Sequence, residues 1–429
     1  MHTFVVTVFV ASQFCTTLQA QPKATMTLAE LLAQVDTHPQ LEMIRAEIEA
    51  GKSQIPMRSS LMNPMLILGV QNVPTNFSFN QDPMTAKVIG VEQDFSFPGK
   101  LSKERALGEL SVQTTEASLA EERNMLRRDV KLSWFEILHR RRSLAAYQYH
   151  LQALETVEKE ITIGISYGKN TVSEQKQLEL ERTEIGQMMA EEQAMISMQY
   201  AKLSYATGIE NMDIPAVDSL PLSGFYYSLD SLMQIALNHR PLLKGLQSSV
   251  QQAELSIERS TLERYPDFGV MLMYMQRDAL APGSMGGDPA MSTPQMNMIS
   301  AQLSIKLPLN YNGKNDAGIA EAQSMRQMKL AEERMATREI RFMLSEQLAK
   351  LQELRTKHNL IASSTLPALR TIRQFQTNAY GFDKVSLSTL VSNELSALHK
   401  QHDLFEIESE YYKTIAQIEF LIGIDLIAP

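Results

Sequence analysis

Phe268-Gly269-Val270-Met271-Leu272-Met273-Tyr274-Met275 is the stretch on which the architecture of this chain turns. Phe268, Val270, Leu272 and Tyr274 alternate with Gly269, Met271, Met273 and Met275, and alternation with period two marks a β-strand whose faces meet different surroundings. Further on, Ile299, Ala301, Leu303, Ile305 and Leu307 alternate with Ser300, Gln302, Ser304 and Lys306. The pair reads as a hairpin with one lipid-like face and one polar or Met-rich face. The device also occurs earlier in the chain. Pro64 opens Met65-Leu66-Ile67-Leu68-Gly69-Val70-Gln71, and 87–97 sets Ile89, Val91, Phe95 and Phe97 against Gly90, Glu92, Asp94 and Ser96.

Outward from each hairpin the period changes to that of a helix. Gly99-Lys100 begins a helical stretch of some 66 residues, Lys100 to Ile165, with Leu144, Tyr147, Leu151, Leu154, Val157 and Ile161 in steps of three and four. At about 1.5 Å per residue it is roughly 100 Å long, so it must lie alongside partners. Tyr167-Gly168-Lys169-Asn170-Thr171 makes a turn, and Val172 to about Ala206 returns as a helix. Before the hairpin, Thr27 to Val35 forms a short amphipathic helix ending near Thr37-His38-Pro39, and a second helix runs to about Met62. The helices at 40–62 and 172–206, end to end, roughly match the long one. In the second copy the long helix runs from Lys314 to Asn378, with a kink expected at Pro367, which removes a backbone donor.

The whole pattern is written twice. Thr27-Leu28 with Leu31, Leu32 and His38 returns as Ser228-Leu229 with Leu232, Met233 and His239, at an offset of 201, and Pro64 returns as Pro266. Gly99-Lys100 returns as Gly313-Lys314, Tyr167-Gly168-x-x-x-Val172-Ser173 as Tyr380-Gly381-x-x-x-Val385-Ser386, and Gly208-Ile209 as Gly423-Ile424, at offsets of 213 to 215. The extra residues enter in one place, between the Pro and the Gly-Lys, which marks a loop. The expected organisation is a leader at 1–20, a first repeat at 21–209, a linker at 210–227 and a second repeat at 228–429.

Thr3 to Ala11 is an apolar stretch too short to span a bilayer, and Leu18-Gln19-Ala20 before Gln21 reads as a signal-peptide cleavage site. The single Cys, Cys15, falls inside that leader, where a lipid anchor is the sharper alternative to an ordinary leader residue. No later stretch is apolar enough for a spanning helix. A net charge of -9 argues against nucleic acid. The eight His residues show no zinc-protease spacing, so neither an enzymatic site nor a cofactor is expected. His38 and His239, beside helix starts, read as capping or packing residues, and Trp134 as a packing residue.

Two hairpins supply four strands, too few to close, and a lipid-facing sheet tolerates no open edge inside a membrane. Oligomerisation follows: three chains would give a 12-stranded barrel, with the helices hanging below as a tube. The order of helix, Pro-led strand pair, Gly-Lys, long helix, Tyr-Gly-x-x-x-Val-Ser turn and closing Gly-Ile, met twice, resembles the TolC-type outer-membrane efflux channels along the whole mature chain. The resemblance implies a mainly α protein with a membrane β-barrel portion, a homotrimer joining a 12-stranded β-barrel in the outer membrane to a trimeric α-barrel tunnel in the periplasm. It implies as partners a periplasmic adaptor (membrane fusion protein) and an inner-membrane efflux pump, proton-driven, with Tyr167, Gly168, Val172, Ser173, Tyr380, Gly381, Val385 and Ser386 at the periplasmic tip that meets the adaptor. Some members carry aspartates just past the second turn; here 387–392 holds no carboxylate, so an ion-pair gate of that kind is not expected.

Met271, Met273 and Met275 lie opposite the lipid-like face, and Met296 and Met298 share the parity of Ser300, Gln302 and Lys306 on the return strand. Thioethers suit copper(I) or silver(I), and Met is equally a flexible apolar filler. Both readings stand at this stage. The expected cargo is small toxic compounds or metal ions; export of polypeptides through the same architecture is the nearest rival, and a soluble periplasmic coiled-coil adaptor or chaperone is a rival of another class.

Overall fold

The computed structural model describes residues 24–168, 170–217, 220–380, 385 and 387–426. The expected leader with Cys15, and Gly381 and Ser386 of the second turn, lie outside the described residues, as does the side chain of Tyr380.

Helix starts follow local chemistry. Thr27 accepts from the backbone of Glu30 while Glu30 reaches back to Thr27, a capping box that opens α1 (Leu28–Gln34). His38 Nδ1 accepts from Gln40 N at 3.2 Å and Pro39 takes the first position of α2 (Pro39–Ser59). Two strands, β1 (Met65–Gln71) and β2 (Ala86–Phe95), precede α3 (Lys100–Ser166), whose N-cap Gly99 has φ +97°. That left-handed value explains the Gly of Gly-Lys. Thr171 and Glu174 form a second capping box that opens α4 (Val172–Thr207), closed by Gly208 at φ +74°.

The order repeats with α5 (Leu229–His239), α6 (Pro241–Leu262), β3 (Asp267–Gln276), β4 (Met298–Lys306), α7 (Lys314–Leu360), α8 (Leu366–Tyr380) and α9 (Leu387–Ile422). A two-residue parallel pairing of 24–25 with 212–213 ties the start of the first copy to its end. Pro241, not His239, follows the helix-starting position of α6, so Arg240 stands where His38 stands and makes no side-chain cap. His38 is thus the capping histidine, buried edge-on to Tyr205 at 5.2 Å, and His239 is exposed in the last turn of α5. Trp134 is buried in the core of the first copy.

Pro367 interrupts its helix through a π turn at 361–365, just before it. Proline gives no N–H to the preceding turn, and a wider turn relieves the ladder there. Thr365 Oγ1 donates to Leu360 O at 3.3 Å across it. α2 stops at Ser59, three residues earlier than its pattern suggested, because Ser60 turns extended while its hydroxyl donates to Pro56 O at 2.5 Å.

Three apolar clusters hold the helices. One gathers α5, α7 and α9 around Leu344, Tyr411 and Ile418; a second gathers α1, α3 and α4 around Leu31, Ile137 and Leu203; a third joins α3, α4 and α9 around Ile161, Ile185 and Leu398. α3 packs along both α2 and α4, so two helices in series do flank the long one, and it also packs along α6 and α9 of the second copy. Between copies, Lys131 Nζ donates to Glu419 at 2.6 Å with both side chains more than nine-tenths buried.

The four strands form one antiparallel sheet in the order β1-β2-β3-β4. Leu68 faces Ile89, Ile89 faces Tyr274, and Tyr274 faces Ile299, so the outward residues of the four strands fall in rows. β1 and β4 are its edges, each paired on one side among the described residues. No helix among the described residues is long and apolar enough to cross a membrane.

Candidate channel lining and helical tips

The sheet has two unlike faces. Leu66, Leu68, Leu272, Ile299, Leu303 and Ile305 are exposed on one of them. On the other, Val88 and Gly90 are buried and Glu92, Met271, Met273 and Met275 half-buried, although no helix lies along the sheet. Reduced exposure on a face with no described helix alongside it fits a sheet that curls toward that face. The register confirms that Met298 shares this concave face, opposite Met275. Met296 lies outside the strands in the exposed β3–β4 connection. Gly90 has a packing reason: a Cβ there would come within 2.7 Å of Met273 Cγ. The two strand connections meet where Ala281 N donates to Asn80 O at 2.9 Å.

The helical part is two-sided as well. On one side the segment after β-paired Asp213 is strapped down by Tyr411 and Tyr412, whose hydroxyls donate to Ser223 O and Pro221 O, both at 2.5 Å, and by Arg355, which donates to Phe225 O at 2.8 Å. The opposite side is a groove of about 800 Å³ formed by α3, α4, α7 and α9, lined by Asp129, Glu136, Lys202, Lys350, Glu410 and Lys413 among others. Ionic contacts run across it from helix to helix. Lys350 meets Glu410 at 2.6 Å, Lys413 bridges Glu410 and Glu136, Arg140 meets Glu136 at 2.7 Å and Glu192 at 3.3 Å, and His402 reaches Glu192 at 3.3 Å. Burial alone would raise Glu136, but Lys413 and Arg140 outweigh it and hold its carboxyl at about 2. Burial, reinforced by Arg140, pushes His139 down to about 4, so its imidazole stays neutral. Of these groups Glu136, Lys350, Glu410 and Lys413 line the groove and neutralise one another there, while Arg140, His139, Glu192 and His402 lie outside its lining.

At the far end of α3 and α4, Tyr167 and Val172 are exposed, as are Gly168 and Ser173, with Gly168 at φ +72°. Ile163 is exposed beside them, so this tip presents apolar side chains to its surroundings. The turn is tight: a Cβ on Gly164 would fall 2.0 Å from Asn170 Oδ1. The second tip lies between α8 and α9, where Tyr380 ends α8 and Val385 is half-buried. Asn393 donates to Gln376 at 2.7 Å and Arg373 pairs with Glu394 at 2.8 Å to tie its two helices.

Sequence patterning missed the acidic groups near these tips because they sit on α4, not past the second turn. Glu174, Glu181 and Glu184 line a cavity of about 280 Å³ shared with Val391, Ser392 and Leu395 of α9. Burial, with Glu184 adding to it, raises Glu181 above the usual carboxylate range, and its Oε1 is buried without a hydrogen bond. The i, i+7 and i+10 spacing of Glu174, Glu181 and Glu184 along one helix face was the available signal. Among the described residues one group, His402, Asp403 and Glu406, brings possible metal-ligand atoms within 4.8 Å of one another. Asp403 is engaged by Lys400 at 2.7 Å and His402 by Glu192 at 3.3 Å, so two of its three members already have partners.

The fold is a Pro-led hairpin sheet with two edges, carried on paired long helices. Solved structures carry the same one. The chain is similar to a membrane protein from Pseudomonas aeruginosa, at 13% identity over 94% of this chain and 91% of that one, with a TM-score of 0.77. It is similar to the outer membrane protein VceC of Vibrio cholerae, at 15% identity over 93% and 97% of the two chains and a TM-score of 0.75. It is similar, too, to the open-state MtrE outer membrane channel of Neisseria gonorrhoeae, at 12% identity over 93% and 89% and a TM-score of 0.74. No family model matches the chain, and no curated protein matches it in sequence.

Proposed function

We propose that this protein is the outer-membrane channel of a tripartite efflux system, a passive conduit from the periplasm to the exterior. The observation that carries the reading is the one-sided sheet: an exposed apolar face, a concave Met-rich and polar face, and two unpaired edges. Because β1 and β4 run in opposite directions, β4 of one copy is able to pair antiparallel with β1 of the next. Three copies in a head-to-tail ring give 12 strands with no edge left in lipid.

Within this reading the repeats at 21–209 and 228–429, joined by 210–227, each contribute one hairpin and one helical tip. The tips, Tyr167, Gly168, Val172 and Ser173 with Tyr380, Gly381, Val385 and Ser386, form the periplasmic end that docks an adaptor and, through it, an inner-membrane pump. Similarity to outer membrane channels supports the location. Toxic small molecules or metal ions are the cargo.

Planar-bilayer recording of the purified full-length chain tests the reading. Discrete, stable conductance steps are expected. Quantitative release of the protein from membranes by carbonate, with no conductance, would instead support the soluble adaptor alternative.

A further inference from the structure

The concave face of the sheet carries a chemistry that a water-filled pore does not need. The register sets residues side by side in rows across the strands: Met65 faces Glu92, and Glu92 faces Met271. One residue pair further along, Ile67, Gly90 and Met273 share a row, and beyond it Gly69, Val88, Met275 and Met298 share another. Neighbouring strands are about 4.8 Å apart, and same-face residues along one strand about 6.8 Å. A flexible thioether therefore reaches from either side to a cation held at Glu92, and from one row to the next.

Three observations favour a ligand over packing. A methionine used as filler needs a core to fill, yet no helix among the described residues lies along this face. Glu92 is half-buried and makes no hydrogen bond or ion pair among the described residues, whereas its neighbour Asp94 is engaged by Lys306 at 3.1 Å. Gly90 leaves the space that Met273 occupies, so the side chain stays on the concave surface instead of being displaced from it.

We propose that Met65, Glu92 and Met271 form a binding site for a soft monovalent cation of the copper(I) or silver(I) class, and that Met273, Met275 and Met298 continue it as a thioether path along the pore. The proposal rests on the channel reading for its direction, since only a closed ring makes the concave face a pore wall. Two sulfurs and a carboxylate match a soft ion's preference, and the carboxylate supplies the counter-charge. The path is made of weak successive positions, which lets an ion leave as well as bind.

The test uses silver(I), which needs no reductant, on the detergent-purified full-length chain in chloride-free buffer, in a Cys15→Ser background so that the one thiol does not compete. Titration calorimetry and sulfur-sensitive X-ray absorption are the readouts. The parent is expected to bind silver with sulfur ligation. Met65→Leu combined with Met271→Leu is expected to weaken it about tenfold or more, equivalent to about 1.4 kcal/mol. Glu92→Gln is expected to weaken it while sulfur ligation persists. Met285→Leu with Met291→Leu, in the exposed connection, is the control and is expected to change nothing. Unchanged affinity in the Met65/Met271 variant, or a loss of equal size in the control, overturns the site. Leu replaces Met at similar volume, and helical circular dichroism confirms that each variant is folded. Bilayer recording of the same samples separates the two ideas: silver binding without conductance removes the channel reading and leaves the site standing, while conductance without sulfur-ligated silver removes the site alone.

Discussion

The helices and the strands of this chain are stabilised in opposite ways. The helices bury Leu344, Ile137, Ile185 and Leu398 among themselves and pair Lys131 with Glu419 across the two copies, so their main contacts are complete within one chain. The sheet leaves Leu66, Leu68, Leu272, Ile299 and Leu303 exposed, along with both of its edges. An exposed apolar face with unpaired backbone groups at its rims is stable only in lipid and only when closed. One region is therefore folded by its own packing, and on the proposed channel reading the other is completed by neighbouring chains and a bilayer.

The largest expected effect probes the self-sufficient half. Lys131→Met leaves Glu419 buried with part of its charge uncompensated, and loss of one partner of a buried pair costs about 3–5 kcal/mol. Denaturant unfolding of the detergent-solubilised protein, followed by helical circular dichroism, should show a midpoint shift of that size. A shift near zero would mean that the repeats do not depend on this joint.

A charge on the other half separates lipid from water. Leu272→Arg on the exposed face should cost about 2–4 kcal/mol if that face sits near the middle of a bilayer. The same substitution on a solvated surface changes stability by about 0.5 kcal/mol or less. Equilibrium folding into lipid vesicles distinguishes the two, and the small value would break the contrast between sheet and helices.

Acid probes the helical half through Glu136. The carboxyl of Glu136 is held at about 2, below its ordinary 4.5, so it contributes stability that is present above the ordinary value and lost as pH falls through 4.5 toward 2. Unfolding midpoints of the parent should drop across that window, and Glu136→Gln should flatten the drop. An equally steep fall in the variant would locate the acid sensitivity elsewhere. The smallest effect is at the first tip: Thr171→Ala removes the capping box and should cost about 1 kcal/mol, measured as faster amide hydrogen exchange at the start of α4 with no change near Lys131.

Much of this contrast was legible in the residues because it rests on periodicity and on glycine. The alternation of Phe268 to Met275 set both strand and face, and Gly99, Gly168, Gly208 and Gly423 fell at positive φ where the repeat had marked turns. Helix ends were off by a few residues, as at Ser59, where a serine hydroxyl rather than a hydrophobic pattern decides the stop. The π turn before Pro367 was legible as an interruption but not in its form. His239 was misaligned by one residue, since a short 3₁₀ turn at 35–37 changes the offset before α2. Glu181 and Glu184 escaped notice because charged residues on a helix are ordinary in sequence, and only the approach of α9 turns them into the lining of a cavity, with Glu181 half-buried and Glu184 still exposed.

The central claim, that sister chains seal the sheet edges, is tested most directly by covalent trapping across them. In a Cys15→Ser background, Leu68→Cys on β1 is combined in turn with Ile299→Cys, Ala301→Cys or Leu303→Cys on β4, and membranes are treated with a short bis-maleimide. At one of these registers a trimer that survives denaturing electrophoresis is expected, with none from either single-cysteine variant. Monomers alone at all three registers, from protein that remains folded, would contradict it.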